Sequence, residues 1–208
     1  MPYAPARAPR SGPYRGKRVV DLVILAIVAG PALAVGAVCA VAVKLTSRGP
    51  VFFRQERIGR DEVPFTVWKF RSMVVGDNPV IPDPSRITRA GVWLRRLSLD
   101  ELPQLINVAT GDMSIVGPRP TLAYQVERYT EHQRRRLVVR PGLTGLAQVR
   151  GRNALEWSER IEHDLDYVDS QSVRTDLRIL LATFSVVASG EGAEGHPTDD
   201  PLVADDPK

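Results

Sequence analysis

The chain has 208 residues, a formal net charge of +4 and 43% hydrophobic residues, enough for one domain with a real core. A single cysteine, Cys39, excludes an intrachain disulfide framework and a cysteine-built zinc site. Of 28 basic residues only Lys17, Lys44, Lys69 and Lys208 are lysines, and arginine is the type suited to forked recognition of phosphate and carboxylate, although a GC-rich coding bias gives the same excess.

Residues 1–15 hold Arg7, Arg10 and Arg15, no acid, and prolines at 2, 5, 9 and 13, the composition of a disordered basic tail. Residues 22–43, "LVILAIVAGPALAVGAVCAVAV", then run without a charge. A core helix rarely stays apolar on every face for so long, and a bilayer-spanning helix needs roughly 20 such residues. The run is too long for a cleaved signal peptide and lacks a small-residue exit. Gly30 and Pro31 sit near its middle, where proline removes a helical hydrogen bond. Arg15, Lys17 and Arg18 precede it, and Lys44, Arg48, Arg54, Arg57 and Arg60 follow. Positive charge collects on the cytoplasmic side, so basic flanks at both ends favour a re-entrant helical hairpin (17–44) over a simple span.

Residues 49–73 read as a β-hairpin, with runs at 51–54 and 65–70 around a glycine-containing loop. Phe65, Val67, Lys69 and Arg71 alternate onto one face, and the two cations at its end suit an anion or a solvated edge.

Residues 87–97 suit a short arginine-rich amphipathic helix. Ser98 and Glu101 have capping-box spacing, which predicts a second helix with Asp100 and Glu101 in its first turn. Acids there offset the helix dipole, so a structural role explains the pair. Pro103, just after that turn, predicts an irregular backbone, which suits a site better than a plain cap.

Downstream, Pro118 and Pro120 stiffen the turn that carries Arg119, a candidate phosphate grip or the partner of Asp112. Residues 139–153, "VRPGLTGLAQVRGRN", read as a glycine-rich basic loop able to cradle phosphate, with Arg140, Gln148, Arg150 and Arg152, but without the lysine of a Walker A loop. Trp157, Ile161, Leu165 and Val168 form a helical core stripe. A last helix over 172–188 aligns Val173, Leu177, Leu180, Leu181, Phe184 and Val187 to pack on the core or lie in a membrane interface. Residues 191–208 carry six acids against one lysine and read as a disordered acidic tail.

In order, "KRVVD" (17–21), "SRGPVFFRQERIG" (47–59), "FTVWKFRSM" (65–73), "SLDELPQLINVATGDMSIVGPRP" (98–120), "RPGLTGLAQVRGRN" (140–153) and a W…R…D…Y helix to Tyr167 resemble the bacterial sugar transferases, the small monotopic polyprenyl-phosphate hexose-1-phosphate transferases. The resemblance spans about residues 16–190 as one domain, with 45–190 as its cytoplasmic catalytic part. It implies an α+β, mainly helical fold: an N-terminal re-entrant membrane helix, a small β-hairpin, and amphipathic interfacial helices around a membrane-surface active site. It implies transfer of a sugar-1-phosphate from a nucleotide diphosphate sugar, usually a UDP-sugar, to undecaprenyl phosphate. Such transfer starts exopolysaccharide, capsule, O-antigen or glycoprotein glycan synthesis at the cytoplasmic face of the bacterial inner membrane. The family's Asp-Glu dyad matches Asp100 and Glu101, with Asp100 as nucleophile and Glu101 as ligand of Mg²⁺. Lys69, Arg71, Arg119, Gln148 and Arg150 are then the expected phosphate contacts. The family's helix often breaks at Ser-Pro, where this chain has Gly30-Pro31.

Two other classes fit less. A nucleic-acid binder would use the pI of about 9.5, but Asp100, Glu101 and Asp112 interrupt the basic stretches and only 6% of residues are aromatic. A non-catalytic membrane scaffold explains the apolar run and basic flanks but gives no reason for an Asp-Glu pair beside a Gly-Pro-Arg-Pro turn. The sequence leaves oligomeric state open, a homo-oligomer included.

Overall fold

The apolar run lies in a 30-residue helix, α1 (Lys17–Thr46), with Pro31 inside it. The computed structural model describes residues 12–74, 84–151 and 154–189. The acidic tail, residues 1–11 of the basic one, and Arg152 and Asn153 lie outside the described residues.

Helix α1 is long and apolar enough to cross a membrane, and only 6% of its most apolar stretch is buried in the protein, so it is not a core helix. Burial concentrates at its two ends. At the first, Lys17 and Asp21 are buried, and Lys17 Nζ reaches Asp21 at 3.0 Å and Asp176 at 2.7 Å. Asp21 also accepts from Ser114 Oγ (2.9 Å) and the Ile115 N–H (3.1 Å), while Tyr14 and Tyr167 hydroxyls donate to Asp176. Arg18 donates to the carbonyls of Val108 (2.5 Å) and Ala109 (2.9 Å). At the other end Cys39 and Val43 pack with Phe70, Ala90 and Leu94. Between them Ile27, Gly30, Pro31, Leu33 and Val35 are exposed. Both ends of one apolar helix are therefore fastened to the same polar body.

That body is α+β and mainly helical. Strands β1 (Phe52–Ile58) and β2 (Pro64–Phe70) form the expected antiparallel hairpin, longer than the runs at 51–54 and 65–70. Its turn places Asp61 and Glu62, not the glycine, at positive φ. Helix α2 (Arg89–Arg96) follows, capped by the Thr88 hydroxyl, which accepts from the Gly91 N–H.

Residues 98–104 depart from expectation. Ser98 sits in the left-handed region (φ 54°) and makes no side-chain cap, so the capping box is not formed. Leu99–Gln104 is a 3₁₀ turn, and the α-helix starts only after Pro103, as α3 (Leu105–Thr110). Proline lacks the N–H a regular helix needs there, and Glu101 has stronger partners elsewhere.

The expected glycine-rich loop is also largely regular. Strand β3 (Ser114–Val116) pairs in parallel with β4 (Gly142–Thr144). The Gly117 N–H donates to Thr144 O and the Gly142 N–H to Pro118 O, so these amides are spent on backbone and do not cradle phosphate. The glycines let the two chains touch: a Cβ on Gly117 would lie 2.5 Å from the Arg140 carbonyl oxygen. Short helices α4 (Ala123–Glu127) and α5 (Glu131–Arg134) precede β4, and α6 (Leu146–Arg150) follows it.

Helix α7 (Trp157–Ser170) buries Ile161, Leu165 and Val168, the expected stripe, with Trp157 partly buried. Helix α8 (Val173–Ser189) turns Asp176 and Ile179 inward and leaves Val173, Leu177, Leu181 and Phe184 exposed. Of the two expectations for that stripe, packing on the core is excluded for these four side chains. Among the described residues the core is three small clusters rather than one, and the cluster of Cys39, Val43, Phe70, Ala90 and Leu94 takes in Leu99 and Leu102. The 3₁₀ turn carrying Asp100 and Glu101 is thereby pinned to the second half of α1.

Candidate active site

Leu99 and Leu102 face the cluster on α1, and the acids between them belong to the same turn. Strand β2 runs alongside. Its distance is fixed by Asn107, buried on α3, whose amide donates to Thr66 O at 2.8 Å and accepts from the Trp68 N–H at 3.3 Å. Held this way, Lys69 Nζ reaches Glu101 Oε1 at 2.6 Å. The same oxygen accepts from Arg119 Nη2 at 2.8 Å.

Arg119 stands on a braced turn. Its carbonyl oxygen accepts from Arg136 Nη2 at 2.9 Å, and Arg136 is buried against Asp164 and the Tyr129 hydroxyl. The alternative partner, Asp112, is occupied by the Thr110 hydroxyl at 2.7 Å. Half of the Arg119 side chain remains exposed.

The two acids differ in state. Burial alone would raise the Glu101 carboxyl, but Arg119 and Lys69 outweigh it and hold the group well below the usual carboxylate range. Burial pushes the Asp100 carboxyl up, Glu101 adds to that, and Lys69, Arg95 and Arg119 oppose it. Among the described residues Asp100 has no hydrogen-bond partner. The result is a fixed anion beside a carboxylate that no cation or hydrogen bond among the described residues holds in place.

Lys69, Arg119, Asp100 and Glu101 are thus brought together. Arg71 is not: it is buried and donates to Ser47 O and Oγ, both at 2.9 Å, closing the end of α1. Gln148 donates to Leu143 O at 3.2 Å, and Arg150 pairs with Asp166 at 3.6 Å beside His163. Neither makes a hydrogen bond or ion pair with the four residues of the cluster. Sequence reading passed over Asn107 and Arg136, although a lone polar residue in "LINVAT" and an arginine in the amphipathic run 131–138 are the available signals.

Two adjacent acids offer a divalent cation a small donor set: the Asp100 carboxylate and Glu101 Oε2, since both cations use Oε1. Among the described residues no group of three or more acids, histidines or cysteines can hold a metal by itself. This fits Mg²⁺, which takes one or two carboxylates and completes its shell with water and substrate phosphate.

The profile of the bacterial sugar transferase family matches residues 13–190. The chain belongs to that family. It is 47% identical over 155 residues to an uncharacterised sugar transferase of Bacillus subtilis, covering 73% of this chain and 77% of the relative. It is 42% identical over 191 residues to a UDP-glucose:undecaprenyl-phosphate glucose-1-phosphate transferase of Caulobacter vibrioides, covering 85% of this chain and 71% of that one. A protein of the same name from Escherichia coli is 46% identical over 181 residues, where the match covers 80% of this chain but 39% of the relative's length.

Proposed function

We propose that this protein transfers a hexose-1-phosphate from a UDP-sugar to undecaprenyl phosphate. The observation that carries the reading is the uncommitted Asp100 carboxylate beside a Glu101 clamped by Lys69 and Arg119, on a turn packed against an apolar helix. The Caulobacter vibrioides and Escherichia coli relatives bear names for this reaction with glucose. Asp100 would attack the sugar-bearing phosphorus and expel the nucleoside monophosphate, leaving a phosphosugar on the carboxylate. Undecaprenyl phosphate would then attack the same phosphorus and restore Asp100. Lys69 and the exposed half of Arg119 would bind phosphate oxygens, and Glu101 keeps both cations in place without competing as nucleophile. Mg²⁺, held by Glu101 and Asp100, would neutralise phosphate charge when bound.

The membrane reading follows from α1. A span would put its ends on opposite sides of a core about 30 Å thick. Lys17 and Arg71, which fasten those ends, sit in one body, and this supports a re-entrant helix. The basic flanks support a cytoplasmic orientation at the bacterial inner membrane. A lipid phosphate acceptor would then meet Asp100 at the bilayer surface, with the product feeding exopolysaccharide, capsule, O-antigen or glycoprotein glycan assembly. The test is release of UMP from a panel of UDP-sugars in vesicles with and without undecaprenyl phosphate. Turnover that requires the lipid supports the reading, and no release with any donor overturns it.

A further inference from the structure

Arg57, in the stretch 47–59 and so far counted only among the basic residues after the apolar run, is a further cation beside this site. In the hairpin register Arg57 pairs with Phe65, Gln55 with Val67 and Phe53 with Lys69. Directly opposed residues share a sheet face, so Arg57 projects to the side on which Lys69 meets Glu101. One residue on, the Ile58 N–H donates to Thr121 O at 2.9 Å, which draws the end of β1 against the turn that bears Arg119.

The half-buried Arg57 guanidinium donates to the neutral Gln55 Oε1 at 2.7 Å, and no carboxylate among the described residues pairs with it. Burial and the neighbouring Arg119 lower it to about 10, partly offset by Tyr124 and Glu101, so it stays cationic at neutral pH. The surroundings also set its place. Lys69, Arg95, Glu101 and Arg119 act on Asp100, whereas Arg119, Tyr124 and Glu101 act on Arg57. Glu101 and Arg119 act on both residues, while Asp100 and Arg57 do not act on one another.

We infer that Arg57 binds the phosphate that departs with the nucleotide; this assignment rests on the covalent Asp100 reading above. When an Asp100 oxygen bonds to the sugar-bearing phosphorus, the bond from that phosphorus to the bridging oxygen breaks. The electron pair stays on the oxygen, and the nucleoside monophosphate leaves with one more negative charge than its phosphate carried in the donor. Opposite the attacking oxygen is the side where this charge grows, and it needs a preorganised cation. Arg57 supplies one held by a neutral partner, ready to fork onto phosphate oxygens. The second displacement has no nucleotide in it and does not use Arg57.

That split is the test. Donor labelled in its sugar, UDP-glucose first, is mixed with wild type and with Arg57→Gln, and the rate of protein labelling is followed. Labelled protein freed of nucleotide is then given undecaprenyl phosphate, and discharge is timed. Arg57→Gln is expected to slow labelling by about 100-fold and leave discharge unchanged. It should also weaken inhibition by UMP by about tenfold. Arg57→Lys, which keeps the charge and loses the fork, should fall between, and it serves if the glutamine variant does not fold. Unslowed labelling, or equal slowing of both steps, overturns the assignment while leaving the covalent reading intact. A wild type that takes no label from any UDP-sugar overturns both.

Discussion

Asp100 and Glu101 are neighbours in the chain held in opposite states: Glu101 Oε1 accepts from Lys69 and Arg119, while the Asp100 carboxylate has no hydrogen-bond partner among the described residues. Burial raises one acid and two cations lower the other. Two carboxyls of like chemistry are thus set apart by placement alone, one clamped by cations and one without a hydrogen-bond partner among the described residues.

Asp100→Asn should abolish transfer and stabilise the metal-free protein at neutral pH. The folded carboxyl is raised above its unfolded value, so ionising it in the fold costs stability as pH rises through the folded value. Asparagine removes that cost. Thermal unfolding in a chelator should show a higher Tm for the variant at pH 7, with the gain vanishing below the ordinary carboxylate range. An unchanged or lower Tm at pH 7 contradicts the half-buried, unpaired state of Asp100.

Glu101→Gln should have the reverse effect on stability. The folded Glu101 carboxyl is depressed, so its contribution is present above the unfolded value and is lost only as pH falls below the usual carboxylate range. Removing it strands Lys69 and Arg119, at a cost of about 1–3 kcal/mol. Denaturant titration of both proteins at pH 7 and pH 5 should give a similar deficit at each pH.

Gly117→Ala tests the backbone that aims Arg119. The added Cβ would meet the Arg140 carbonyl oxygen at 2.5 Å, so β3 and β4 must part. Overpacking of this kind costs about 1–3 kcal/mol, and here it also displaces the turn beginning at Gly117. Activity should fall by more than the population of unfolded protein accounts for. Full activity at reduced stability would show that the turn tolerates the shift.

The fastening of α1 predicts a topology. In a Cys39→Ala background, cysteines replacing the exposed Arg15 and Arg48 should be labelled from one side of sealed vesicles only. Labelling from opposite sides establishes a span. Lys17→Met leaves Asp21 and Asp176 buried without their cation, and should destabilise the protein by about 3–5 kcal/mol.

Much of this was legible in the residues. Charge-free length gave α1, alternation gave the hairpin, and a 3.6-residue period gave α7, because each is a local signal. The capping box misled because Ser98 and Glu101 have the right spacing, but Glu101 gains more from two cations than from a backbone N–H. Gly142 looked like part of a phosphate cradle because the same residue also serves close strand packing, and only the β3–β4 pairing, which uses its N–H, distinguishes the two. Arg71, Gln148 and Arg150 carry the right chemistry, yet each is committed elsewhere by contacts that no spacing reveals. Arg57 became visible only once the hairpin register placed it on the face of Lys69.

Whether Asp100 carries the phosphosugar between donor and lipid is decided by labelling with donor alone. Protein in detergent or nanodiscs is given UDP-sugar labelled in the sugar, without undecaprenyl phosphate, then quenched and mapped by peptide mass. One phosphosugar is expected on the peptide containing Asp100, discharged by added undecaprenyl phosphate and absent from Asp100→Asn. Lipid-dependent turnover with no adduct at any time, or an adduct that persists in Asp100→Asn, would contradict it.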